Sequence, residues 1–259
     1  MSVPDVATTE PRGPHGAPLL VLGCSLGTSR RVWEHALDTL TGSYRVSVWE
    51  LPGHGASPAE RAAFSMGELA DAVAERYEGP FATAGVSIGG AVALELAMRH
   101  PDRVFGAVAV CSGARLGDPQ AWTDRAAQVR ASGTGSLIIP SAQRWFAEGT
   151  IAAVPELTGR LLHDLRDADD ESYARCCEAL RDFDARAGLA ATAVPLLAAW
   201  GTLDPVATEA HAQEIVRAAP HASAARIDGA AHLATVDAPA ATATMIIDFL
   251  DAARQGAHA

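Results

Sequence analysis

Short apolar runs alternate along the chain with segments whose apolar residues return every three or four positions. LLVLG (19–23), YRVSVW (44–49), FATAGV (81–86), VFGAVAVC (104–111) and VPLLAAW (194–200) are such runs. Their length and small or branched side chains fit strands buried on both faces. Between them the period changes. Residues 29–41 bring Trp33, Leu37 and Leu40 to one helical face, residues 66–77 turn Leu69, Ala70 and Val73 inward, and residues 88–99 continue as a third helix. Strand and helix alternating at this spacing predict a parallel sheet covered on both sides.

The rhythm breaks between Gly113 and Gly188. Helical patterns at 119–131, 141–148, 155–166 and 170–181 follow one another there without a strand. It resumes with the 194–200 strand, a helix at 206–218, a short strand at 222–227 and a last helix at 237–254. The expectation is an α/β core in two parts, 1–113 and 189–259, with a helical cap over 114–188. Residues 1–18, rich in Pro, Gly and Thr, are expected to be flexible or loosely attached.

Composition narrows the chemistry. The chain has 259 residues, 49% of them hydrophobic, and a formal net charge of −11, enough for one large soluble domain. An acidic surface repels phosphate backbones and anionic lipid, so neither nucleic acid nor a membrane is an expected partner. All twenty basic residues are arginine. Without lysine there is no Schiff-base lysine, pyridoxal-phosphate site or P-loop lysine, and any anion clamp must be an arginine clamp. Cys24, Cys111, Cys176 and Cys177 lack a C-x-x-C zinc spacing. No metal or cofactor is expected. Four free thiols, no apolar signal core and no run of membrane-spanning length make the cytoplasm the expected compartment.

Gly85-Val86-Ser87-Ile88-Gly89 is a G-x-S-x-G motif between the FATAGV strand and the 88–99 helix. A serine on that strand-to-helix turn is exposed as a nucleophile, and bulk at Gly85 or Gly89 would strike the crossing backbone. The helix N-terminus also turns free N–H groups toward developing negative charge. A serine hydroxyl needs a base. In the α/β-hydrolase fold, which this turn resembles, the order is Ser, then acid, then His. Of nine histidines, His232 sits in the loop before the last helix, whereas His258 lies in the tail. The acid is expected after the VPLLAAW strand, at Asp204 in GTLDP, where it would orient the imidazole. Asp228 and Asp237 flank His232 and are alternatives that also suit turn and helix-capping roles. The loop Cys111-Ser112-Gly113, where some related enzymes carry the acid, has no carboxylate. Two N–H donors must meet the oxyanion: Ile88, and Leu26 in the loop Gly23-Cys24-Ser25-Leu26-Gly27. Ser25 is a candidate at the substrate. His54, in LPGHGAS, is expected to support the site structurally.

LVLGCSLGTSRRVW is more specific than the superfamily pattern, because S-L-G-T followed by Trp replaces the usual His-Gly pair. The chain resembles the 3-oxoadipate enol-lactonases of the β-ketoadipate pathway over about residues 18–250. CSGARLGDPQAW, RWFAEG and CCEALRDFD resemble the cap of that group, and GTLDPVAT and AAHLATVDAP its acid and histidine loops. The resemblance implies a Ser87–Asp204–His232 triad and hydrolysis of an enol-lactone bearing a free carboxylate. Such a carboxylate calls for an arginine; Arg115, Arg125 and Arg144, in or near the cap, are each candidates. Trp122, Trp145 and Phe146 are candidates for the pocket wall. The chain departs from the group in three places: no clear N-terminal hairpin, Cys24 where asparagine is common, and WELPGHG for the more usual YDTRGHG, which removes an arginine. The same triad also serves carboxylesterases, perhydrolases of the haloperoxidase type and C–C bond hydrolases, and a ligand-binding protein could use the same fold.

Overall fold

The computed structural model describes residues 3–256. Strands β1 (Leu19–Gly23), β2 (Arg45–Trp49), β3 (Phe81–Val86), β4 (Val104–Val110), β5 (Leu196–Gly201) and β6 (Ala222–Ile227) form one sheet. Their order is β2-β1-β3-β4-β5-β6, and every neighbouring pair is parallel. This is the parallel sheet that the strand–helix alternation predicts. All six residues of β3 are buried, whereas the edge strand β6 is mostly half-buried or exposed, and its run ASAARI carries little apolar bulk.

Parallel neighbours need crossover connections, and helices supply them. Residues 29–41 form a short 3₁₀ turn, Arg30–Trp33, and then α1 (Leu37–Thr41), instead of one continuous helix. The Ser29 hydroxyl caps the turn by accepting from Arg31 N, and the Trp33 indole N–H donates to the Gly23 carbonyl at 3.0 Å. That anchor holds the turn on the end of β1. α2 (Met66–Glu75) opens on a Ser65/Glu68 capping box. α3 (Ile88–Arg99) packs on β1, β3 and β4, with α2 against it.

Between β4 and β5 lie α4 (Pro119–Ser132), a 3₁₀ turn (Thr134–Leu137), α5 (Ile138–Trp145), α6 (Thr150–Ala153), α7 (Pro155–Asp167), α8 (Asp170–Asp182) and α9 (Arg186–Leu189). α5 begins and ends three residues earlier than the 141–148 pattern predicts, because Phe146 is already extended. α4 lies along α8, where Arg130 bonds both Glu171 and Glu178.

After β5, α10 (Glu209–Ala218) covers β5 and β6. The last predicted helix is two helices, α11 (Ala234–Asp237) and α12 (Pro239–Gly256). Pro239 lacks an N–H and its ring blocks a continuing helix, so it starts a new one. α12 packs on β4 with α1 against it, opposite α3.

The N-terminal segment corrects the expectation of loose attachment. Val6 is buried, and residues 7–12 run antiparallel to β2. Thr9 N donates to Val48 O at 2.9 Å, Arg12 N to Val46 O at 2.9 Å, and Val46 N returns to Arg12 O at 2.7 Å. These bonds seal the edge of the sheet. They use backbone groups alone, which is why composition hides them. All four cysteines are free and buried. Among the described residues no helix is long and apolar enough to cross a membrane.

Candidate active site

Ser87 stands at the junction of β3 and α3 with φ 57° and ψ −117°. A non-glycine residue held there costs about 1–3 kcal/mol, and the surroundings impose it. Ser87 N donates to Val110 O at 2.9 Å, and the Ser112 hydroxyl donates to Ser87 O at 2.7 Å. A Cβ at Gly85 would fall onto the Gly89 carbonyl, and one at Gly89 would sit 2.6 Å from the Gly23 carbonyl carbon. The motif glycines are therefore set by close backbone crossing.

His232 and Asp204 meet as a buried pair, 4% and 6% exposed. His232 Nδ1 lies 3.0 Å from Asp204 Oδ2. Asp204 Oδ1 accepts from Val206 N at 2.7 Å, so the carboxylate is held at both ends. With Nδ1–H donating to Asp204, Nε2 keeps its lone pair and serves as an acceptor. The two alternative acids are engaged elsewhere. Asp228 is exposed and pairs with Arg226 at 3.1 Å. Asp237 accepts from Ala231 N, Ala147 N and the Thr150 hydroxyl, which braces the histidine loop against the turn after α5. His258 lies outside the described residues. His54 is buried, its Nδ1 is 2.9 Å from Pro52 O, and burial pushes its pKa down to about 4.

Ser87 and His232 open into one cavity of about 240 Å³. Among the described residues the Ser87 hydroxyl has no hydrogen-bond partner, so it faces that space unengaged. Ser25 and Leu26 line the same space. Leu26 N and Ile88 N donate to no described residue, and Gly27, with φ 81°, provides the turn beside Leu26. Two unclaimed amides beside a free serine hydroxyl and a histidine acceptor are the parts acyl transfer requires.

The far wall comes from the helical block. Trp122 and Arg125 on α4, Arg144 and Trp145 on α5 and Tyr173 on α8 line the cavity. The Trp122 indole donates to Leu116 O at 2.5 Å, and the Arg125 guanidinium lies 5.0 Å over the indole ring. Burial first, and then the charge of Arg125, hold the Arg144 guanidinium below its ordinary pKa. Among the described residues neither arginine pairs with a carboxylate. Arg115 does not line the cavity; its charge acts on Asp184 instead. Phe146 packs edge-on against Trp145, 6.1 Å away, as a supporting layer outside the lining. Tyr173 went unnoticed in the sequence because a tyrosine within a helical pattern reads as core.

The relatives agree with this architecture. The profile of the alpha/beta hydrolase family matches residues 15–245. 3-oxoadipate enol-lactonase 2 of Acinetobacter baylyi is 33% identical over 228 residues, spanning 86% of this chain and 85% of that protein. A pimeloyl-(acyl-carrier protein) methyl ester esterase of Yersinia enterocolitica is 28% identical over 240 residues, 89% of this chain and 92% of that one. Among solved structures, the enol-lactonase from Burkholderia xenovorans superposes with a TM-score of 0.90 at 29% identity, covering 95% of this chain and 96% of that one.

Proposed function

Because the chain belongs to the alpha/beta hydrolase family, we propose that it cleaves a small carboxylate-bearing ester or lactone through Ser87, His232 and Asp204, with the enol-lactone of 3-oxoadipate as its substrate. The observation that carries the substrate reading is the pair Arg125 and Arg144. Two half-buried cations without a carboxylate partner among the described residues face the same cavity as the serine. Unpaired like charges are costly to hold together, and a bound carboxylate relieves that cost.

In this reading His232 Nε2 takes the Ser87 proton as Oγ attacks the lactone carbonyl. The tetrahedral oxygen accepts from Leu26 N–H and Ile88 N–H; each such donor is worth about 10²–10³ in rate. Collapse breaks the ring C–O bond, and the enol oxygen takes the proton from His232. Because the substrate is cyclic, this leaving group stays attached to the acyl chain. Water, deprotonated by His232, then attacks the acyl-enzyme and releases Ser87. The freed enol tautomerises to the ketone, which removes the nucleophile for reclosure. Asp204 orients the imidazole and stabilises its charged form. A helical cap over 114–188, supplying both arginines, sets specificity, and the four free thiols suit a reducing cytoplasm. The acidic charge argues against nucleic acid or membrane as partner.

The deciding experiment follows the ultraviolet absorbance of the enol-lactone. Its decay should accelerate with wild-type enzyme and stay at the spontaneous rate with Ser87→Ala. Turnover of neutral short esters together with inertness toward the enol-lactone would instead assign a general esterase. Loss of all turnover, with ligands still stabilising the fold, would assign a binding protein.

A further inference from the structure

Tyr173 is 2% exposed, yet its hydroxyl has no hydrogen-bond partner among the described residues. The hydroxyl is not sealed off: unlike His54 Nε2, which is fully enclosed and unpartnered, it keeps accessible surface, and an O–H so placed takes its partner from whatever enters that space. The surroundings explain where that hydroxyl is directed. The ring stacks on His54, centroids 5.9 Å apart and planes inclined by 25°. Its edge lies against the oxyanion loop, where a Cβ on Gly27 would sit 3.4 Å from Tyr173 Cε2. With the ring fixed on those two sides, Tyr173 joins Ser87, Arg125 and Arg144 in lining the one cavity. The charges of both arginines reach the phenol. Burial keeps it protonated well above its ordinary range, so at neutral pH it is a donor.

We propose that the Tyr173 hydroxyl is the third donor of the anion site and hydrogen-bonds the substrate carboxylate alongside Arg125 and Arg144. Two guanidinium groups are planar forks that bind a carboxylate at its edges; a phenol O–H between them and the oxyanion loop fixes how far that carboxylate sits from the scissile carbonyl. The site thereby selects an acyl chain by length as well as by charge. This rests on the hydrolase reading above.

The test uses two length-matched chromogenic esters, the mono-4-nitrophenyl ester of adipate and 4-nitrophenyl hexanoate, which differ at the far end of the acyl chain. Wild type should favour the adipate ester in kcat/KM. Tyr173→Phe should lower that preference by about ten-fold or more, the worth of a hydrogen bond to a charged group, with the loss carried by KM. Free adipate should lose inhibitory strength against hexanoate cleavage in parallel. An equal loss on both esters, or an unchanged preference, overturns the assignment of Tyr173. Absence of any preference in an active wild type overturns the anion site itself, and absence of all turnover overturns the hydrolase reading. Should Tyr173→Phe not fold, wild type labelled with fluorotyrosine answers the same question. The chain has three tyrosines, so adipate should shift the one fluorine resonance that persists in both Tyr44→Phe and Tyr77→Phe. A spectrum that does not move overturns the contact.

Discussion

Replacing Asp237 by asparagine tests how the histidine loop is held in register with the helices that line the pocket. Asp237 Oδ2 accepts from Ala231 N at 2.7 Å, Oδ1 accepts from the Thr150 hydroxyl at 2.7 Å, and Ala147 N lies 3.2 Å from both oxygens. Beside this, Leu233 N donates to Trp145 O at 2.8 Å. The residues on either side of His232 are thus tied to Trp145 and, through Asp237, to Ala147 and Thr150. An asparagine has one acceptor and two donors. Its tolerable orientation keeps the amide oxygen on Ala231 and turns the NH₂ toward Thr150, whose hydroxyl can rotate to accept. Three charge-assisted bonds become neutral ones, each falling from about 1.5–3 to about 0.5–1.5 kcal/mol, and Ala147 loses half its acceptor. The expected cost is about 3–4 kcal/mol in urea unfolding. Misplacement of the base should lower kcat/KM on the order of ten-fold. A double-mutant cycle with Thr150→Val isolates the link across the two segments. Asp237→Asn with wild-type unfolding and wild-type turnover would refute the latch.

Asp204→Asn should lower kcat by about a thousand-fold or more while leaving KM nearly unchanged, because the amide holds His232 in the wrong tautomer; steady-state kinetics on either ester check it. Arg144→Gln should raise KM for a carboxylate-bearing substrate about ten-fold or more and at the same time raise the melting temperature of the ligand-free protein, since it removes a half-buried charge that burial first, and then repulsion from Arg125, hold below its ordinary pKa. A fall in melting temperature would count against an unpaired anion site. His54 has a folded pKa of about 4 against an ordinary 6.5. Below 6.5 the unfolded chain takes up a proton that the folded chain refuses until about 4, so stability is lost as pH falls through this window, by up to about 3 kcal/mol. Urea midpoints between pH 7 and pH 4.5 should therefore fall less steeply in His54→Phe than in wild type.

The sheet was legible because its strands are buried on both faces. Runs such as FATAGV can hardly be anything but central strands once helical segments alternate with them. The G-x-S-x-G turn was legible because Gly85 and Gly89 are demanded by the crossing backbone, a constraint that shows directly in residue type. The missed features depend on backbone or on context instead. Residues 7–12 join the sheet edge mainly by N–H and C=O groups that any residue carries, with the Thr9, Ser47 and Ser57 hydroxyls adding bonds that only the folded edge brings together. The 29–41 helix breaks because Trp33 bonds the Gly23 carbonyl, a tertiary contact that periodicity cannot carry. Tyr173 and Cys177 share the helical spacing of core residues on α8 and are both buried, and only the cavity separates Tyr173, which faces it.

Among the three candidate arginines in or near the cap, the fold separates Arg115 from the other two for a reason of geometry. Arg125 lies one helical turn beyond Trp122 on α4, so a residue facing the cavity brings the other with it. Arg144 immediately precedes Trp145, the residue whose carbonyl receives Leu233 N–H next to His232. Arg115 has neither link: it sits before α4 begins, beside Asp184. The two cations that line the cavity are thus on elements coupled to its other walls, Arg125 through the packing of α4 on α8, whose Tyr173 lies against Gly27, and Arg144 through the hydrogen bond at Trp145. A substitution that loosens either coupling should degrade carboxylate preference without touching an arginine, and Asp237→Asn, which loosens the second, is the variant in which to measure the ratio of adipate-ester to hexanoate-ester cleavage.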